Sequence, residues 1–158
     1  SLAEGLVRTD SGDGLLFVWN ASLRLVTLGL SGARTGGFAV RHEPPRVAEC
    51  DVEKELAAMS ERGRATFERA LRDSLPERWP AVRALLVDDA DQVWMALSGK
   101  PGAAAEWAVF SPTGEYLGST LLPEGFKPWV IRGRTIYGEQ SDELGVPRVA
   151  VRNLDRPL

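Results

Sequence analysis

A chain of 158 residues, 44% hydrophobic and 26% charged, suits one globular domain able to bury a core. Its net charge of −3 supplies no field that would draw it to nucleic acid or anionic lipid. Cys50 is the single cysteine, which excludes an intrachain disulfide and a cysteine-based zinc site, and no apolar run approaches the roughly 18 residues that span a bilayer.

Residues 1–48 are glycine-rich with short apolar runs. The step Val18-Trp19 opens a strand pattern that continues through "LRLVTL" (23–28), a polar turn "LSG" (30–32) and "RTGGFAV" (34–40). Residues 51–75 read as helix. Asp51 caps the start, and Glu53 and Glu55 sit favourably in the first turns. Val52, Leu56, Met59, Phe67 and Leu71 keep to one face, and Glu68 and Arg72 form an (i, i+4) pair on the outside. Gly63 divides the tract, at a cost of about 1 kcal/mol against alanine. Pro76 and Pro80 keep the helix from continuing.

The chain then returns to short runs split by turn residues. Strands are predicted near 83–88, 92–98, 105–110 and 116–121, then near 128–132, 134–139 and 147–153. The steps Val93-Trp94 and Ile136-Tyr137 repeat the first unit's Val18-Trp19, and "SPTG" (111–114) repeats its polar turn. Regularly spaced short strands with turn signals predict an antiparallel meander, and a period of roughly 40 residues with about four strands per unit points to propeller blades. The expected fold is therefore mainly β: four-stranded antiparallel meander sheets, two to three blades of an incomplete ring, with one helical insertion near 51–75. The units are 1–48 (first blade), 49–80 (helical insertion), 81–123 (second blade) and 124–158 (partial third blade).

The order Val87-Asp88, Val93-Trp94, Val109-Phe110 and Pro112-Thr113-Gly114 resembles the blade pattern of bacterial six-bladed β-propeller proteins of the NHL-like kind. "HEPPRVAECDVEKEL" followed by a helix is similar to the insertion between two late blades in some members. The resemblance covers residues 14–154. It implies a ring that, at four strands per blade, needs about 250 residues, so this chain is expected to be a piece of a longer protein or a subunit that completes a sheet with another copy. The third unit lacks an outer strand, so residues 147–153 are expected to meet another strand, from the N-terminal segment or from a partner chain.

Chemistry is harder to find. Asp88-Asp89-Ala90-Asp91 offers oxygen ligands for calcium, but neither the EF-hand spacing nor a glycine-rich nonapeptide is present, and aspartate bonds its own backbone in turns. A chain-reversing turn is the expectation, with no cofactor and calcium as the alternative. His42, the only histidine, does not continue into H-E-x-x-H. Ser31 has no nucleophile elbow around it. Gly99-Lys100 lacks the upstream glycine of a phosphate loop. Asp142 and Glu143 lie beside Gly145 in a turn. Among Trp19, Trp94, Trp107, Trp129 and Tyr137, sheet packing is the expected role, and Trp129, following Pro128, is the one to examine for exposure. The candidate binding surface is Trp129, Glu139 and Asp142.

Two functions follow as expectations. The first is a non-catalytic binding or assembly module that associates with a protein or with itself through the edge near 147–153. The second, implied by the resemblance, is a calcium-dependent hydrolase of lactonase type, which requires Asp88 or Asp91 to converge with Glu139 or Asp142. A purely structural oligomer, in which copies build a ring, is a weaker third. A lone cysteine fits either a reducing compartment or an exported bacterial protein and does not separate them.

Overall fold

The computed structural model describes residues 14–20, 22–48, 77–99 and 104–154, the backbone of 6–9, and the helical positions 52, 53, 56, 57, 61, 64 and 68. Three antiparallel meanders follow one another along the chain. The first sheet is β1 (Leu6–Thr9), β2 (Gly14–Trp19), β3 (Arg24–Gly29) and β4 (Arg34–Gly36). The second is β5 (Val82–Val87), β6 (Val93–Leu97), β7 (Ala105–Phe110) and β8 (Tyr116–Leu122). The third is β9 (Lys127–Arg132), β10 (Thr135–Ser141) and β11 (Pro147–Asn153). Residues 83–122 thus form a single up-and-down sheet, as the sequence predicts.

The sheets stack face to face, like blades in a partial propeller, and do not close into a barrel. Alternation along each strand sends successive side chains to opposite faces. From sheet 2, Leu85, Val93, Met95, Ala108 and Phe110 pack against Leu16, Val18, Leu23 and Leu25 of the first sheet. From its other face, Leu86, Trp94, Ala96, Trp107 and Val109 pack against Ile131 and Ile136 of the third, with Phe126 at the margin. Sheet 2 is therefore buried on both sides, which is why β6 reads as an unbroken apolar run. The first strands line up: β5 lies beside both β1 and β9.

Four connections share one design, at 29–33, 88–92, 111–115 and 142–146. In each, the first residue donates its N–H to the carbonyl of the fifth, and the fourth donates to the carbonyl of the first. The fourth residue is left-handed every time: Gly32 (φ 79), Asp91 (φ 58), Gly114 (φ 91) and Gly145 (φ 76). This is a tight turn closed by a left-handed residue, a common hairpin solution. In three of the four, the first side chain also accepts the N–H of the fifth residue: Asp88 from Gln92 at 2.9 Å, Ser111 from Glu115 at 3.0 Å, Asp142 from Val146 at 2.9 Å.

Several expectations change. β1 is a strand that the glycine-rich texture of 1–48 concealed. It takes the first place in sheet 1, so it does not serve as the outer partner of β11. β11 pairs with β10, and no other described strand lies on its free side. Pro147, Arg148 and Arg152 blunt that edge in the way natural edges are protected. The step Val18-Trp19 is not equivalent to the other two. Val93-Trp94 and Ile136-Tyr137 fall at the start of a second strand, whereas Val18-Trp19 ends one, with Val18 turned to sheet 2 and Trp19 away from it.

The helical tract leaves and re-enters through a short stem. Val47 donates to Glu77 at 3.0 Å, Trp79 donates to Pro45 at 3.1 Å, and Arg46 bridges Arg78. The Arg78 guanidinium donates to the Pro44 carbonyl at 2.9 Å and pairs with Glu43 at 2.7 Å. Val52, Glu53, Leu56, Ala57, Glu61, Arg64 and Glu68 are helical. The predicted cap Asp51, the face residues Met59, Phe67 and Leu71, Gly63 and Arg72 lie outside the described residues.

Candidate functional site

The acidic turn joins β5 to β6. Asp88 is buried, and its carboxylate is fully engaged. One oxygen accepts the N–H groups of Ala90 and Gln92, both at 2.9 Å. The other accepts the indole N–H of Trp94 at 2.8 Å. Asp89 reaches to the next sheet, where both its oxygens accept the Gly133 N–H at 2.9 and 3.1 Å. The turn therefore reverses the chain, fixes the Trp94 ring and ties sheet 2 to the β9–β10 connection. A hollow of about 240 Å³ lies beside it, lined by Asp88, Asp89, Gln92, Trp94, Gly133 and Arg134. Among the described residues, no three metal-ligating side chains gather anywhere.

Asp142 repeats the same turn at the other end of β10. It accepts Leu144 at 3.0 Å and Val146 at 2.9 Å on one oxygen, and Arg148 at 2.8 Å on the other. The Arg148 guanidinium, then the Val146 N–H, hold its carboxyl below the ordinary value of 3.8, against some opposition from burial and with the smallest push from the Leu144 N–H. Glu139 is half-buried on β10, 3.7 Å from the Lys127 ammonium. Trp129 is the extra residue of a bulge in β9, where Tyr137 pairs with Val130 and Gly138 with Pro128, and it is 45% exposed.

These groups do not form one acidic centre. Gly133, bound to Asp89, precedes β10, and Asp142 follows it. Seven residues of strand, about 20 Å, separate the two ends. The Asp88–Asp91 turn and Asp142 thus lie at opposite ends of β10, with Glu139 on the strand between them.

Other candidates are spoken for or lie elsewhere. The Ser31 hydroxyl accepts the Ala33 N–H at 3.4 Å within its own turn. His42 lies in the stem region, half-buried, its Nε2 without a hydrogen-bond partner among the described residues. Lys100 and Cys50 lie outside the described residues.

What remains conspicuous is the two outer faces of the stack. Alternation turns Leu15, Phe17, Trp19, Val26 and Leu28 of sheet 1 away from sheet 2. Phe17 and Trp19 stand 6.0 Å apart, beside a hollow of about 330 Å³ lined also by Ser22, Arg24 and Val26. On sheet 3, Val130, Tyr137, Val149 and Val151 face away from sheet 2, and all four are exposed. An apolar sheet face of this kind on a folded chain marks a contact surface. Sequence reasoning found Tyr137 only as an aromatic of a repeat. The signal available was the alternation Val149, Val151 on a strand whose other face is already filled.

Comparison of the chain with models of protein families, with curated protein sequences and with solved structures finds no match. Among the described residues, no helix is long and apolar enough to cross a membrane.

Proposed function

We propose that this chain is a non-catalytic binding or assembly module of β-propeller type, working through the outer faces of its stacked sheets. One observation carries the reading. The row Val130, Tyr137, Val151 on the outer face of sheet 3 occupies the positions held in sheet 2 by Leu86, Trp94 and Val109. In sheet 2 that row is buried by the next sheet; in sheet 3 it is in solvent. Among the described residues, the chain thus carries a stacking surface with nothing stacked on it. The order Val87-Asp88, Val93-Trp94, Val109-Phe110 and Pro112-Thr113-Gly114 supports the NHL-like propeller family as the source of this design.

The test addresses the hydrolase alternative directly. Turnover of a panel of simple lactones and the melting temperature are measured with calcium and with a chelator. The module reading expects neither turnover nor a calcium-dependent rise in melting temperature, since ligand binding to the folded state alone would raise it. Calcium-dependent turnover accompanied by such a rise overturns it.

A further inference from the structure

We infer that two copies of this chain close on one another, sheet 3 of each stacking on sheet 1 of the other, to give a ring of six sheets. The inference rests on the assembly reading and adds the occupant of the outer faces: a second copy.

The two internal interfaces are the template. In each, one sheet offers its trailing face and the next offers its leading face. At the first, sheet 2 leads with the rows Val87, Val93, Phe110 and Leu85, Met95, Ala108. At the second, it trails with Leu86, Trp94, Val109. The free face of sheet 1 is a leading face, carrying Leu15 with Leu28 and Phe17 with Val26. The free face of sheet 3 is a trailing face, carrying Val130, Tyr137 and Val151. Among the described residues the stack therefore presents one of each kind, half-buried on sheet 1 and exposed on sheet 3, and a copy supplies the complement of both. Two equal contacts related by a two-fold axis use up both faces and leave none over.

Area and charge agree with this arrangement. Sheet 3 sets the limit of each contact: three strands at about 4.8 Å spacing and six residues at about 3.4 Å rise give a face of about 300 Å². Two such contacts bury about 600 Å² per copy, the lower end of a stable interface, while a single contact gives half of it. Charge follows the same register. Arg24, opposite Trp19, lies on the leading face beside the β2–β3 connection. Glu139 lies on the trailing face near the β10–β11 connection. Connections of this class fall at the same end when sheets stack in the order seen here, so Arg24 of one copy comes to Glu139 of the other, which Lys127 of its own sheet flanks at 3.7 Å.

The experiment uses the 158-residue chain, with light scattering after size exclusion at tens of micromolar. The expected mass is twice 17.2 kDa. Phe17→Asp and Tyr137→Lys, each checked for unchanged circular dichroism, are each expected at the single mass. A one-to-one mixture of the two variants is expected to recover the double mass, since the mixed pair has one unaltered contact and one with opposite charges. A monomeric wild type, an open polymer, either variant still dimeric, or no recovery on mixing overturns the closure. None of these outcomes touches the module reading, which falls only with calcium-dependent turnover.

Discussion

Gly114 lies directly against the Phe38 ring: a methyl group at its Cα would stand 2.5 Å from the ring carbon. Gly145, at the same place in the matching turn of sheet 3, has nothing within 4 Å of that point. Both are left-handed, so replacement by alanine costs each about 1 kcal/mol in backbone conformation. Gly114→Ala must also displace Phe38 from its contact with Phe110, at 5.6 Å, adding about 1–3 kcal/mol of overpacking. Urea unfolding should place Gly114→Ala clearly below Gly145→Ala. Equal losses would refute the contact between the β7–β8 turn and the segment after β4.

Asp88 and Trp94 should behave as a coupled pair. Asp88→Ala leaves the buried indole N–H and two turn N–H groups without their acceptor, a loss of about 2–3 kcal/mol. Trp94→Phe removes the indole donor while keeping an aromatic ring. In a double-mutant cycle the Asp88→Ala loss should shrink by about 1 kcal/mol in the Trp94→Phe background. Additive losses would show that the carboxylate serves the turn alone.

The Asp142 turn carries a pH dependence of definite sign. Its carboxyl pKa is lowered by Arg148 first, then by the Val146 N–H. A depressed folded-state value means that the stabilisation is complete above the unfolded-state pKa and is lost as pH falls through the folded-state one. The β10–β11 turn should therefore be steady at neutral pH and loosen in acid, below pH 3.8. A carboxyl titration followed by NMR should show Asp142 moving up toward its ordinary value in Arg148→Ala. An unmoved midpoint would deny the ion pair.

Amide exchange should separate centre from edge. β6 pairs on both sides and lies in a sheet covered on both faces, so its amides are expected among the slowest. Among the described strands β11 pairs on one side only, so alternate amides along 147–153 should exchange at rates near those of loops. Uniform protection along β11 would mean that a strand has been added to that edge.

The middle unit was legible because its signals agree with one another. An apolar run, an aspartate turn and an alternating strand ending in Phe110 each specify the same sheet, and strand limits fall within a residue or two of the expectation. β1 was not legible: four residues, Leu6–Thr9, set among glycines and aspartates give too short an alternation to read. Trp129 was singled out for its place after Pro128, but its exposure follows from the bulge, which depends on Gly138 being able to approach the Lys127 carbonyl and the Phe126 ring. Asp142 was singled out as an acidic group, and its role as a turn acceptor depends on Arg148 and Val146 meeting it across the hairpin. The Asp142 turn did have a local signal, an acceptor side chain four residues before its donor, which recurs at Asp88–Gln92 and Ser111–Glu115; the close approach of Gly138 to Lys127 across the strands had none.

The stem at 43–47 and 77–79 ties the two roots of the helical tract together at one spot. Main-chain bonds of 3.0 and 3.1 Å hold its two ends side by side, so the span between sheets 1 and 2 is set at the stem, and a change in the length of the tract alters its closure entropy only slowly.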